Sequence, residues 1–414
     1  MTAALISRQH QSARRSRLVP VFDFESVLAD TPGCRDQVFL DSAGSSLPPR
    51  PVLDAVVGHL RREAAVGGYR AAEERVDALA AVRADIATLI NAQPESIALG
   101  DSATRAWTDF FYSVPLAPGD RMLISRSEYA ACAIAALQRA RATGAVVDIV
   151  PATPTGEIDV EAMSGMMDER VKLVSLVHAP TNGGLINPVA EATRIARNAG
   201  AIVLLDACQS VGQLPVDVAR LDVDALSATG RKWLRGPRGT GFLYVRPEIL
   251  TALEPQRLDL HSAKWVGPSE FRIASDATRF EFWEHNVATR LGLGAAVRYL
   301  LDIGAHRAFA EVADRGKYLR AALSQIPTVV LHDLGTQHSG IVSFTVTGTS
   351  PNLIRDQLRK NAITVTVSHR HSTLLDMTTR GLDSVVRASP HYFVTERQLD
   401  QFVTEIRRLA HIAT

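Results

Sequence analysis

The chain of 414 residues carries 45 lysines and arginines against 44 acidic residues, a formal charge of +1, and is 46% hydrophobic. A charge so near balance leaves no electrostatic footing for nucleic acid, and no run of about 18 apolar residues offers a membrane span, while the apolar content suffices for a large core. Three cysteines, Cys34, Cys132 and Cys208, with no CxxC or metal-like spacing, point to a reducing, cytoplasmic home and to no metal site.

The first residues, with Arg8, Arg14, Arg15 and Arg17 following a short apolar stretch, lack the basic-then-apolar order of a secretory signal. Residues 1–35 are set apart as an N-terminal segment, part of it expected to be disordered. From Val38 to about Val245 short apolar runs alternate with amphipathic stretches. Ile97–Gly100, Asp120–Ser125, Ala145–Val150, Val171–His178, Ala201–Asp206, Val223–Ala228 and Gly241–Arg246 read as strands, and Val189–Asn198 as one of the helices between them. Such alternation implies an α/β fold with a mostly parallel sheet covered on both faces.

The rhythm then changes. Ile341–Thr347, Ile363–Val367 and Val385–Ser389 read as strands and Pro351–Lys360 as a helix. In Thr395–Ile412, Leu399, Phe402, Val403, Ile406 and Leu409 share one helical face, and Thr395 with Gln398 forms a capping box. The expected division is a large domain over residues 36–285 and a smaller C-terminal α+β domain over 286–414.

Three features sit at or just beyond the C-terminal ends of these strands, the edge where open α/β sheets bind ligands. Asp206 closes an apolar strand, where a carboxylate needs a charged or hydrogen-bonded partner; a protonated ring nitrogen would serve, and so would the start of the next helix. Lys232 follows Ser227-Ala-Thr-Gly-Arg231 and precedes Gly236-Pro-Arg-Gly-Thr-Gly241. Thr229 and Arg231 suit a phosphate dianion; the lysine alone also reads as a solvated surface residue. Gly100-Asp-Ser-Ala-Thr104 opens a helix whose free amides suit a phosphate or an ordinary N-cap.

In this order and spacing, the phosphate loop, the Asp206-Ala-Cys-Gln209 strand end and Arg231-Lys232 before the Gly-Pro turn resemble the fold-type I, class V aminotransferase and cysteine desulfurase family of pyridoxal-phosphate (PLP) enzymes. The resemblance runs from Phe39-Leu-Asp-Ser-Ala-Gly44 to Ala410. It implies that Lys232 holds PLP as a Schiff base and later moves the Cα proton, that Asp206 pairs with the ring nitrogen, and that Gln209 bonds the ring's phenolic oxygen. Ala103 and Thr104 would bind the phosphate from one side, Thr229 and Arg231 from the other. Tyr129 stands where the family stacks a His on the ring. Asn182 matches a family Asn near the cofactor oxygen and the substrate carboxylate, and Arg387 the arginine that grips that carboxylate. The family's active sites lie at a dimer interface, so a homodimer is expected. Two departures are visible. The stretch Arg279-Phe-Glu-Phe-Trp-Glu-His-Asn286 lacks the Gly-Thr that many members lend to the partner's phosphate site. Cysteine desulfurases also carry a nucleophilic Cys on a mobile loop before the carboxylate arginine, and here Thr366–Met377 contains none.

Within the family, the chain resembles most the subgroup of hercynylcysteine sulfoxide lyase and isopenicillin N epimerase-like proteins, with Ala65-Val-Gly-Gly-Tyr-Arg-Ala-Ala-Glu-Glu74 on the lyase side. The resemblance implies a carbon–sulfur lyase that eliminates a thiol or sulfenate from an S-substituted cysteine or its sulfoxide, giving pyruvate and ammonia, in sulfur-containing natural-product biosynthesis. Tyr69, His369, Arg370 and His371 would contact the substrate, although the two histidines also read as solvated loop residues. An amino-acid epimerase is the runner-up, then an aminotransferase or oxidative deaminase, and last a non-catalytic PLP-binding protein.

Overall fold

The computed structural model describes residues 22–412; most of the N-terminal segment expected to be disordered lies outside them, while residues 22–35 include the helix Phe24–Ala29. Seven strands form one sheet in the order Ile97–Gly100, Gly241–Val245, Ala225–Thr229, Ile202–Asp206, Val171–Val177, Arg121–Ser125, Val146–Val150. The last five run parallel, and Gly241–Val245 is antiparallel to both of its neighbours. This is the α/β architecture that the alternating pattern implies. Side chains alternate across the pleat between two cores: Val203 and Leu205 enter one and Leu204 the other, as do Phe242 and Tyr244 against Leu243. Helices Ala103–Ser113 and Ala130–Thr143 bring Trp107, Phe110 and Ala136 to one face. Val76–Ile90 and Val189–Asn198 bring Val82, Ile86 and Ala192 to the other.

A second, antiparallel sheet has the order Val329–Leu331, Val342–Val346, Ser384–Ala388, Thr366–His369. The helix Glu396–Ile412 packs Phe402 edge-on to Phe344, with centroids 6.2 Å apart. Its N-terminus is closed by the capping box: Gln398 N donates to Thr395 Oγ1 at 3.2 Å, and Thr395 N to Gln398 Oε1 at 2.9 Å. The strand expected over 363–367 is in fact two. Ile363–Thr364 pairs in parallel with Val38–Phe39, and only Thr366–His369 joins the second sheet. A pairing partner from the far end of the chain divides the apolar run. It also carries Asp41 to Ser389, two residues beyond Arg387. Among the described residues, no helix is long and apolar enough to cross a membrane.

Candidate active site

The parallel strands end at a cavity lined by Ser102, Ala103, Thr104, Trp107, Ser127, Tyr129, Cys132, Thr181, Asp206, Cys208, Gln209, Thr229, Arg231 and Lys232, with Val177, Ala179 and Ser227 completing the wall. Ala103, Thr104, Tyr129, Asp206, Gln209, Thr229, Arg231 and Lys232, all singled out from the sequence, meet here; Asn182, Arg387 and Tyr69 do not line it.

One wall is the start of the helix Ala103–Ser113. Ser102 is its N-cap, accepting from Arg105 N at 3.1 Å, and the amides of Ala103 and Thr104 in the first turn have no intrahelical acceptor. Gly241 lets the neighbouring strand approach this wall, because a Cβ there would fall 2.7 Å from Ala103 N. Arg231 donates to the Gly44 carbonyl and faces the same cavity, so amides and a guanidinium make an anion site.

Lys232 sits in a closed turn, with Gly236 N donating to Gly230 O at 2.7 Å. Arg235, whose φ is +62°, anchors the turn: it donates to Leu47 O at 2.8 Å, Thr31 Oγ1 at 2.6 Å and Tyr392 Oη at 3.1 Å. Burial pushes the Lys232 amine below its ordinary value, as Arg231 and Arg387 also do, against Cys208 and Asp206. Asp206 accepts from Cys208 N at 2.8 Å through Oδ1. That local bond is the Asx-type one a strand-end Asp makes; it engages one oxygen of a residue that also lines the cavity.

Thr181, which sequence reading passed over in favour of its neighbour Asn182, joins the cavity to Arg387. Its Oγ1 accepts from Arg387 Nη1 at 2.7 Å and from Gln209 Nε2 at 3.1 Å. Arg387 is also held by Asp41 at 3.3 Å. Gln209 donates its second amide hydrogen to Ala43 O at 3.0 Å and accepts from Trp233 Nε1 at 2.8 Å, so both its donors are engaged within the protein. Asn182 ties down the segment after the second sheet's edge strand: its Nδ2 donates to Thr373 Oγ1 at 3.0 Å, Ser372 Oγ at 3.3 Å and Met377 Sδ at 3.3 Å. His369 and His371 stack with centroids 5.7 Å apart, and Arg370 pairs with Asp383 at 2.6 Å; none of the three lines the cavity.

Tyr69 is corrected. It lies on the short helix Gly68–Glu73, is 76% exposed, and meets Trp283 at 5.9 Å rather than the cavity. Gly67, with φ +86°, ends the helix Arg50–Val66 there and starts a new one on the outer surface.

The cavity fits PLP on chemical grounds. Its lining combines an anion site, a desolvated lysine and a strand-end carboxylate. The indole N–H of Trp107, which lines it, is buried without a partner among the described residues, as are Arg387 Nε and Asn182 Oδ1 beyond its wall. The thiols of Cys132 and Cys208 are held well above their ordinary values by burial, then by the carboxylates of Glu128 and Asp206 respectively.

The aminotransferase class-V family matches residues 38–402. The chain is 30% identical over 403 residues to a cysteine desulfurase of Dickeya dadantii, covering 94% of this chain and 97% of that one. A cysteine desulfurase of Escherichia coli superposes with a TM-score of 0.87 at 25% identity, covering 95% of this chain and 99% of that chain. A cystine C–S lyase shares the fold with a TM-score of 0.82 at 24% identity, covering 92% of this chain and 99% of that chain. These relatives carry the desulfurase and cystine-lyase names, not those of the sulfoxide lyase and epimerase subgroup expected from the sequence. The cofactor is common to the whole family, so a resemblance carried by residues suited to it does not separate the family's branches.

Proposed function

The chain belongs to the aminotransferase class-V family, and on that premise we propose that it is a carbon–sulfur lyase that eliminates the sulfur substituent of an S-substituted cysteine. The observation that carries this reading is the state of its cysteines. Cys132 and Cys208 are held as neutral thiols beside the cavity, and Cys34 lies buried in the turn Pro32–Cys34. The Thr366–Met377 stretch, where a desulfurase carries its acceptor, offers Ser372 and Thr373 bonded to Asn182. Sulfur transfer to the protein needs an accessible thiolate; elimination needs none.

PLP, the cofactor of the family, supplies a carbonyl that takes the substrate amine and a ring that draws electrons from Cα. The first turn of the helix Ala103–Ser113, with Thr229 and Arg231, would bind its phosphate. Asp206 would hold a proton on its ring nitrogen, and Tyr129 would wall its ring. Arg387 grips the substrate carboxylate with its guanidinium fork, and Thr181 fixes that guanidinium's orientation. The Lys232 amine, whose proton burial makes easier to lose, takes the Cα proton. The Cα–H and Cβ–S bonds break, the electron pair leaves on sulfur, and water converts the remaining three carbons to pyruvate and ammonia.

The test is product analysis with cysteine, cystine, S-alkylcysteines and their sulfoxides, with Lys232→Ala alongside. Pyruvate and ammonia in equal amounts from an S-substituted cysteine, lost in the variant together with the visible cofactor band, are expected. Alanine from free cysteine, with persulfide on the protein, would overturn the reading in favour of a cysteine desulfurase.

A further inference from the structure

Behind Asp206 lies a second carboxyl that the chemistry above does not use. Glu128 follows the strand Arg121–Ser125 and precedes Tyr129, and it is 2% exposed. Its neighbours are identifiable from each element around it. From the adjacent strand Val171–Val177, Ser175 Oγ lies 2.9 Å from Oε2. From the helix Ala130–Thr143 comes the Cys132 thiol, and from the chain itself Tyr129 N, donating to Oε1 at 3.2 Å. From the strand Ile202–Asp206 the Asp206 carboxylate acts on it through its charge. Among the described residues no lysine, arginine or histidine pairs with Glu128.

A carboxyl out of water, without a cationic partner of its own and within reach of another carboxylate's charge, does not ionise readily. The Ser175 contact accommodates either state, since a protonated Glu128 donates to the hydroxyl oxygen that otherwise donates to it.

We propose that Glu128 is a positioning residue for the cofactor, a neutral acid that leaves Asp206 as the single anion facing the ring nitrogen. Burial first, and the Asp206 charge second, push the Glu128 carboxyl up to about 8. Below that pH the Asp206 end of the cavity carries one negative charge; above it, two, and the second strengthens the hold on a proton at the ring nitrogen. The proposal rests on the cofactor and not on which bond the enzyme breaks.

The folded state keeps the Glu128 proton after the unfolded chain has lost it. Glu128 therefore contributes stability that is present in full below about pH 4.5, the ordinary glutamate value, and is lost as the pH climbs to about 8. Glu128→Gln imitates the protonated acid and cannot titrate. The experiment measures the full-length protein's unfolding midpoint from pH 5 to 9, cofactor-free and loaded, and the pH dependence of the cofactor's visible band. The wild-type midpoint should fall with rising pH by several degrees more than that of Glu128→Gln, and the wild-type band should show a weakly alkaline step that the variant lacks. Glu128→Asp should restore a step. A merely structural role shifts the midpoint equally at every pH. Parallel wild-type and Glu128→Gln curves, with the same band titration, would overturn the proposal whichever products the enzyme makes.

Discussion

Arg387 shows how much one side chain's surroundings decide. Its guanidinium reaches Thr181 at 2.7 Å and Asp41 at 3.3 Å, and its Nε is buried without a partner. A substrate carboxylate would complete that set. Charge-assisted bonds of this kind contribute about 1.5–3 kcal/mol. Arg387→Ala should therefore lower kcat/KM by roughly 10- to 100-fold, mainly through KM, while the cofactor's absorption in the resting enzyme stays as it is. Arg387→Lys keeps the charge but not the fork and should recover only part of the loss. Steady-state kinetics on whichever S-substituted cysteine is turned over checks this; an unchanged KM in the alanine variant would remove Arg387 from substrate binding.

Asn182 acts on a whole element. Its amide spans the gap from the end of the strand Val171–Val177 to the short helix Leu374–Thr379, where it meets Thr373 and Met377, both fully buried. The segment that in desulfurases is a mobile loop is fastened here by side chains. Asn182→Ala removes these bonds and leaves the Ser372 and Thr373 hydroxyls to find other partners. At about 0.5–1.5 kcal/mol for a net hydrogen bond, amides across residues 370–377 should exchange with solvent about tenfold faster. Hydrogen exchange by mass spectrometry reads this directly. Exchange unchanged in that peptide would mean that packing around Met377, and not Asn182, holds the segment.

At the scale of the molecule, Glu281 is the point where distant parts of the chain are joined. It lies in the stretch noted in the sequence for lacking a Gly-Thr, and the structure gives that stretch an internal role. The Glu281 carboxylate accepts from Arg83 at 2.7 Å, Arg290 at 2.8 Å and Leu99 N at 2.9 Å. It thereby links the helices Val76–Ile90 and Val287–Asp302 to the edge strand Ile97–Gly100. Burial alone would raise its carboxyl, but the two arginines outweigh burial and hold it below the usual range. Removing one partner from such a buried cluster costs about 3–5 kcal/mol, because the remaining charges stay unpaired. Glu281→Gln should lose that much in denaturant unfolding. A loss under about 1 kcal/mol would put the cluster on the footing of a surface ion pair.

What the sequence by itself determined was local in cause. Helical bounds such as Val189–Asn198 and Pro351–Lys360 follow from periodicity, and the seven strands from apolar runs of strand length. Lys232, Asp206 and the Ser102 cap were legible because a ligand edge, a Gly-Pro turn and a free helix end leave fixed spacings in the chain. Tertiary structure alone decided the rest. Thr181 matters because Gln209 and Arg387 converge on it from 28 and 206 residues away. Glu128 is an unusual acid only because folding buries it and brings the Asp206 charge within reach. Tyr69 lies exposed just after the positive-φ Gly67, a placement that its flanking residues do not announce. Spacing records what adjacent residues do to each other; burial, pairing and charge in a pocket arise when distant segments meet, and no local pattern encodes that meeting.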